Sequence, residues 1–178
     1  MVDSFRLRVM KGICDALKEI TVANYYTFDL ANFMDSADRV TERVFRGRDF
    51  FGANDPLPML SVLEDPRAPE AFNGSTTSGK SQNTFRVLIQ GFVADDKNHP
   101  LDPAYGLSAE VTKALVKAKQ SSTGILGLNK PMRAPCVMSI SIGQPVHRPG
   151  RDEVSDHAYF LIGLTLLLAE DLENPFAS

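Results

Sequence analysis

The chain has 178 residues, 43% of them apolar and 23% charged, with a formal charge of −3. Such a chain can bury a real core within one domain, and its charge weighs against nucleic acid as the main partner, since phosphate binding draws on concentrated Lys and Arg. Its two cysteines, Cys14 and Cys136, stand far apart among apolar residues with no CxxC or Cys/His cluster, which points to buried free thiols in a reducing compartment.

The N-terminal MVDSFRLRVMKG has no apolar signal core, and no apolar run is long enough to span a bilayer, so a cytoplasmic setting without a membrane partner is expected. Ser4 to Ile20 reads as an amphipathic helix. Phe5, Val9, Met10, Ile13, Cys14, Leu17 and Ile20 recur at three- and four-residue spacing, and Asp3 or Ser4 caps the first amides. Gly12 costs such a helix roughly 1 kcal/mol relative to Ala. Tyr25 to Leu30 is expected as a strand, followed by a polar stretch through Asp35, Ser36, Asp38 and Arg39 and a second strand from Val40 to Arg46.

Arg43 to Asp65, RVFRGRDFFGANDPLPMLSVLED, sets two strand-like halves around a charged, aromatic turn. Gly47, Gly52 and Asn54-Asp55-Pro56 supply turn geometry, and Leu57 to Glu64 is expected as the third strand. The adjacent Phe50 and Phe51 admit two readings. One phenylalanine tucks under the turn into the core, or the loop is a docking surface, where aromatics and Arg are favoured.

Asp65 to Asn83 reads as a long irregular loop, broken by Pro66 and Pro69 and rich in Gly, Ser and Thr. Thr84 to Ala94 is the clearest strand, with Phe85, Val87, Ile89, Gly91 and Val93 on one face. A turn at Asp95 to Pro100 leads to a second helix, with Asp102 as its N-cap, Pro103 in first position, and Tyr105, Val111, Ala114, Leu115 and Ala118 along one side. Lys113, Lys117 and Lys119 suit its C-terminal dipole. Ser121 to Pro135 is expected to be a second mobile loop, with Ile125, Leu126 and Leu128 exposed unless a partner covers them. Cys136 to Gln144 alternates, placing Met138, Ile140 and Ile142 opposite Ser139 and Ser141. Pro145 to Asp156 is turn-rich. His157 to Leu168 fits helix or strand, and its Tyr, Phe, Ile and Thr content favours a strand buried on both faces. The order fits an α+β fold, a single domain with a mixed, mostly antiparallel β-sheet flanked by two amphipathic helices.

Gly74 to Ser81, GSTTSGKS, matches the phosphate-loop pattern GxxxxGK[ST], which works where a strand delivers the loop to the start of a helix. Here Pro-rich sequence precedes it and a strand pattern follows, so a flexible loop accounts for it better than a nucleotide site. His99, His147 and His157 lack metal-ligand spacing. Asp95, Asp96, Asn98, His99 and Asp102 fit turn and cap roles. No catalytic, cofactor or metal residues are assigned, and the chain does not read as an enzyme.

The amphipathic helix, the VFRGR…DPLPMLSVLED segment, the strand TFRVLIQGFVADD and the helix entry HPLDPAYGLSAEVTKALVKA together resemble the tail terminator (tail completion, minor tail) proteins of long-tailed bacteriophages. The likeness covers Ser4 to Lys119. It implies a structural virion protein with a tail-tube-like fold, forming a homohexameric ring on the last tube ring. There it stops tube growth and presents a surface to the head-side connector, with DNA only as cargo through the lumen. A head-side neck adaptor is the neighbouring alternative. A head-to-tail ring needs two complementary patches. The expected contact residues are Arg46, Arg48, Asp49, Phe50 and Phe51, with Ile125, Leu126, Leu128 and Arg133 as a second patch.

Overall fold

The N-terminal periodicity becomes helix α1, Phe5–Lys18, in the computed structural model, which describes residues 2–52, 54–66, 79–128, 135–150 and 157–176. The Ser4 hydroxyl accepts the Leu7 amide at 3.4 Å, capping the helix, and Phe5, Val9, Met10, Ile13, Cys14 and Leu17 are buried. Gly12 serves a close approach: a Cβ there would lie 3.2 Å from Leu126 Cβ and 3.3 Å from the Leu126 carbonyl oxygen.

The strand expected at Tyr25 to Leu30 does not form. A 3-10 turn at Val22–Asn24 ends on Tyr25 with φ 63°, and the next amides are taken by a side chain. The Glu110 carboxylate accepts Thr27 N–H at 2.6 Å and Phe28 N–H at 3.1 Å, leaving no ladder to build. Tyr26 and Leu30 turn into the core. The polar stretch beyond is a small hairpin of β1 (Phe33–Met34) and β2 (Val40–Thr41), antiparallel, with Met34 opposite Val40. Asp35 holds its turn by accepting the amides of Ala37 and Arg39, at 2.8 and 3.0 Å. The single strand expected over Val40 to Arg46 is thus two, since β3 is Val44–Arg46.

The main sheet runs β3-β4-β5-β8-β6, where β4 is Met59–Glu64, β5 Lys80–Phe92, β6 Cys136–Ile142 and β8 Tyr159–Asp171. A short β7, Val146–Arg148, also pairs with β8. Only β3 and β4 are parallel among the described pairs. The two long strands β5 and β8 pair without interruption from Lys80↔Asp171 to Phe92↔Tyr159 and form the spine. β5 begins four residues before its apolar alternation. Ser81 and Asn83 are buried polar residues that hydrophobic periodicity cannot reveal.

Helix α2 is Asp102–Lys119, with Leu101 rather than Asp102 at its N-cap; Asp102 lies in the first turn, where its charge still complements the dipole. Its buried face is Ala104, Leu107, Ser108, Val111, Ala114 and Leu115, so Tyr105 is displaced outward. Both helices pack on one face of the sheet, against Leu60, Val62, Phe85, Val87, Ile89, Ile162, Leu164 and Leu166. β8 is buried on both faces at its start, through Tyr159 and Phe160, and alternates beyond it: Ile162, Leu164, Leu166 and Leu168 are buried, while Gly163 and Thr165 are exposed. In β6 the expected phase fails at a bulge between Val137 and Ser139. Val137 and Ile140 go inward and Met138 outward. The protein is a single α+β domain.

Candidate functional site

The connection from β3 to β4 is built rather than loose. Gly47, with φ 71°, turns the chain out of β3, and its amide bonds to the Val62 carbonyl at 2.9 Å. The next residue, Arg48, reaches across the loop to Asp55, contacting its two carboxylate oxygens at 2.6 and 2.7 Å. The same guanidinium donates to the Phe50 carbonyl at 3.1 Å, and Asp55 accepts the Gly52 amide at 2.7 Å. Ser61 of β4 donates its hydroxyl hydrogen bond to the Arg48 carbonyl, tying the loop to the sheet. One guanidinium nitrogen shared by both Asp55 oxygens, with backbone bonds at both ends of the pair, holds a loop better than a lone surface ion pair.

This clasp sends the two phenylalanines apart. Phe51 turns under the sheet on the face opposite the helices, its ring 4.8 Å from Phe92 and 6.2 Å from Phe45, centroid to centroid. Met59, Phe92 and Tyr159 complete this second, smaller apolar cluster, and Leu161 packs against it. Arg48 lies 4.5 Å over the Phe45 ring and 5.0 Å over Phe51. Phe50, held by its own carbonyl, is 82% exposed. Phe51 is thus the phenylalanine that tucks beneath the turn, and Phe50 is left on the surface. Asp49 is exposed beside it. Arg46 faces elsewhere, towards α1, where its charge lies near Asp3 and Cys14.

The second expected patch divides differently. Leu126 is buried against α1 through Gly12, and Ile125 and Leu128 pack against the main core, so this chain covers all three itself. A 3-10 turn, Ile125–Gly127, places them. Arg133 lies outside the described residues, as do 67–78 and 129–134 of the two expected loops. Of GSTTSGKS, Lys80 and Ser81 open β5 as extended residues, whereas a phosphate cradle requires them at the start of a helix.

Three polar arrangements escaped the sequence reading. Arg6 of α1 donates to both oxygens of Glu170 at 2.8 Å, Asn83 donates to Glu170 at 2.8 Å, and Ser81 donates to Asn83 at 2.9 Å. Burial alone would raise the Glu170 pKa, but the bonds from Arg6 and Asn83 and the Arg6 charge outweigh it and hold this carboxyl below its usual range. His147 stacks on Tyr105 at 3.8 Å, with Nε2 2.8 Å from Ser108 Oγ. The Ser108 hydroxyl also lies 3.0 Å from the Tyr105 carbonyl, and the imidazole tautomer sets which of Ser108 and His147 donates to the other. Burial lowers the His147 pKa. The third is the Glu110 carboxylate over Thr27 and Phe28. Burial pushes the Cys14 thiol up to about 11 and raises Cys136, which keeps both protonated.

No family model matches the chain, and no curated protein matches it significantly. Among the described residues no three His, Cys, Asp or Glu side chains gather as metal ligands, and no helix is long and apolar enough to cross a membrane. The described residues present a clasped loop bearing an outward phenylalanine, and a hairpin outside the main sheet. Besides Phe50, the largest exposed apolar side chains include Tyr25, Met34, Val40, Tyr105 and Val146.

Proposed function

We propose that the protein is a tail terminator, a structural virion component that assembles as a ring on the tail tube, stops its polymerisation and offers a docking surface to the head-side connector. The observation that carries this reading is the Arg48–Asp55 clasp. Three elements of bonding hold one loop so that Phe51 is sheltered and Phe50 projects, 82% exposed. An aromatic fixed in solvent by a rigid loop is suited to a partner's pocket, because little ordering entropy remains to be lost on contact. The resemblance of Ser4 to Lys119 to tail terminators, ring formation by six copies, and a virion location at the head-proximal end of the tail belong to the same proposal.

The test is the native mass of the purified protein, alone and mixed with tail tube protein. The expected outcome is a discrete ring, either spontaneous or formed on tubes, that stops their elongation. Binding to the connector without any effect on tube length would favour the neck adaptor. A strict monomer in the presence of tube protein would sink the terminator reading.

A further inference from the structure

We infer that the β1–β2 hairpin of one copy docks on the outer face of α2 of the next copy, making the head-to-tail contact of the assembly. This inference rests on the assembly reading and names its subunit interface. Among the described residues the hairpin joins no larger sheet, and strands this short are marginal in water without something to pack against. Its one cross-strand apolar pair, Met34 opposite Val40, is 56% and 65% exposed, so this chain leaves it uncovered. The occupant is indicated by charge. From Phe33 to Glu42 the sequence carries three carboxylates and one guanidinium; Asp35 pairs with Arg39 and Glu42 with Lys18, and Asp38 is exposed at the turn with φ 56°.

The complementary surface is on the same molecule but in another place. Lys113, Val116, Lys117 and Gln120 fall at helical spacings of three and four and form one exposed stripe along α2, with Val116 39% exposed. Between Lys113 and Gln120 there are three lysines and no carboxylate. A hairpin with an exposed turn carboxylate and an apolar pair thus meets a basic stripe with an apolar centre. Opposite charges at the rim set register and encounter, and the apolar centre supplies contact area. Because the two patches are different, the contact is heterologous, and repetition closes a ring when the rotation per subunit allows it.

The test uses the full chain in two single variants, Met34→Cys and Val116→Cys, purified separately and mixed under mild oxidation. Both sites are exposed, and the unsubstituted chain, whose own cysteines are buried, is the background control. The expected result is a 1:1 cross-linked pair that forms in the mixture much faster than dimers of either variant alone. Adding Lys117→Glu to the helix variant should slow the cross-link, and adding Asp38→Lys to the hairpin variant should restore it. Equal rates in mixed and separate samples overturn the inference, as does capture of the hairpin by its own twin or by tube protein. Ring formation by the wild type without the hairpin-to-helix cross-link keeps the assembly reading and rejects this contact. The cross-link without ring or tube capping keeps the contact and rejects the terminator.

Discussion

Phe50→Ala and Phe51→Ala, made one at a time, should separate contact from folding within two adjacent residues. Phe51 contacts Phe45 and Phe92 and lies beneath Arg48, and it is half-buried. Removing a fully buried phenylalanine costs about 3–5 kcal/mol, and each aromatic pair contributes about 0.5–1.5 kcal/mol beyond area. Scaled for its partial exposure, Phe51→Ala should destabilise by about 2–3 kcal/mol, or roughly 4–12 °C in Tm for a chain of this size. Phe50, 82% exposed, should change stability by no more than about 0.5 kcal/mol. Urea unfolding followed by circular dichroism, with equal m-values, measures both. Native mass with tube protein then reads assembly, where Phe50→Ala is expected to fail while remaining folded. Equal destabilisation by the two substitutions would refute the division of roles assigned to the clasp.

Four further outcomes follow from the same geometry. Glu170→Gln should destabilise by about 2–3 kcal/mol at neutral pH, below the 3–5 kcal/mol of a fully buried broken pair because Arg6 keeps contact with water. The folded pKa of Glu170 is lowered, so its contribution is present above the unfolded value of 4.5 and disappears as pH falls through the folded one; the gap between wild type and variant in acid titrations should close below pH 4.5, and a constant gap would contradict the assignment. Gly91→Ala should unfold the domain or destabilise it by at least about 3 kcal/mol, since its Cβ would lie 2.2 Å from the buried Phe160 ring, whereas Gly163→Ala, with open space around it, should be tolerated in the same thermal melts. Arg48→Lys should loosen the clasp, which limited proteolysis between Gly47 and Pro56 would detect as faster cleavage, because an ammonium cannot hold both Asp55 oxygens and the Phe50 carbonyl in one plane. Millimolar ATP should leave Tm unchanged in wild type and Lys80→Ala alike; a rise in wild type that Lys80→Ala abolishes would restore the phosphate-loop reading.

The elements legible in the sequence were those whose apolar residues match one period. Helix α1 and the Phe85–Ile89 face of β5 are of this kind, and so is the strand character of β8. Periodicity failed where polar groups do the structural work. Ser81 and Asn83 extend β5 because Glu170 and Arg6 satisfy them across the sheet, a contact spanning most of the chain. Tyr25–Leu30 has strand composition, yet the Glu110 carboxylate takes its amides. A single bulge in β6 put Met138 and Ile140, expected together, on opposite faces. At the candidate site the Arg, Asp and Phe residues were visible, but Arg48 pairs with Asp55 rather than with its neighbour Asp49, and that pairing decides which phenylalanine turns outward.

On the proposed reading, fold and contact use different apolar residues. The main core is closed on one face by two helices, and the second cluster closes around Phe51 on the other. Phe50, Met34, Val40 and Val116 lie outside both, so truncating them removes little burial that folding depends on. Exposed apolar side chains of this size also carry an association hazard, which a monomer would reduce by substitution at little cost to its fold. The clasp instead fixes Phe50 in the solvent, and the hairpin turn holds Met34 and Val40 beyond the sheet. On the proposed reading, the benefit of such rigidity lies in a contact outside the chain. A screen for variants that lose assembly but keep wild-type melting should therefore return substitutions at 33–40, 50 and 113–117, and few from the cores. Recovery mainly of unstable core variants would place the contact surface elsewhere.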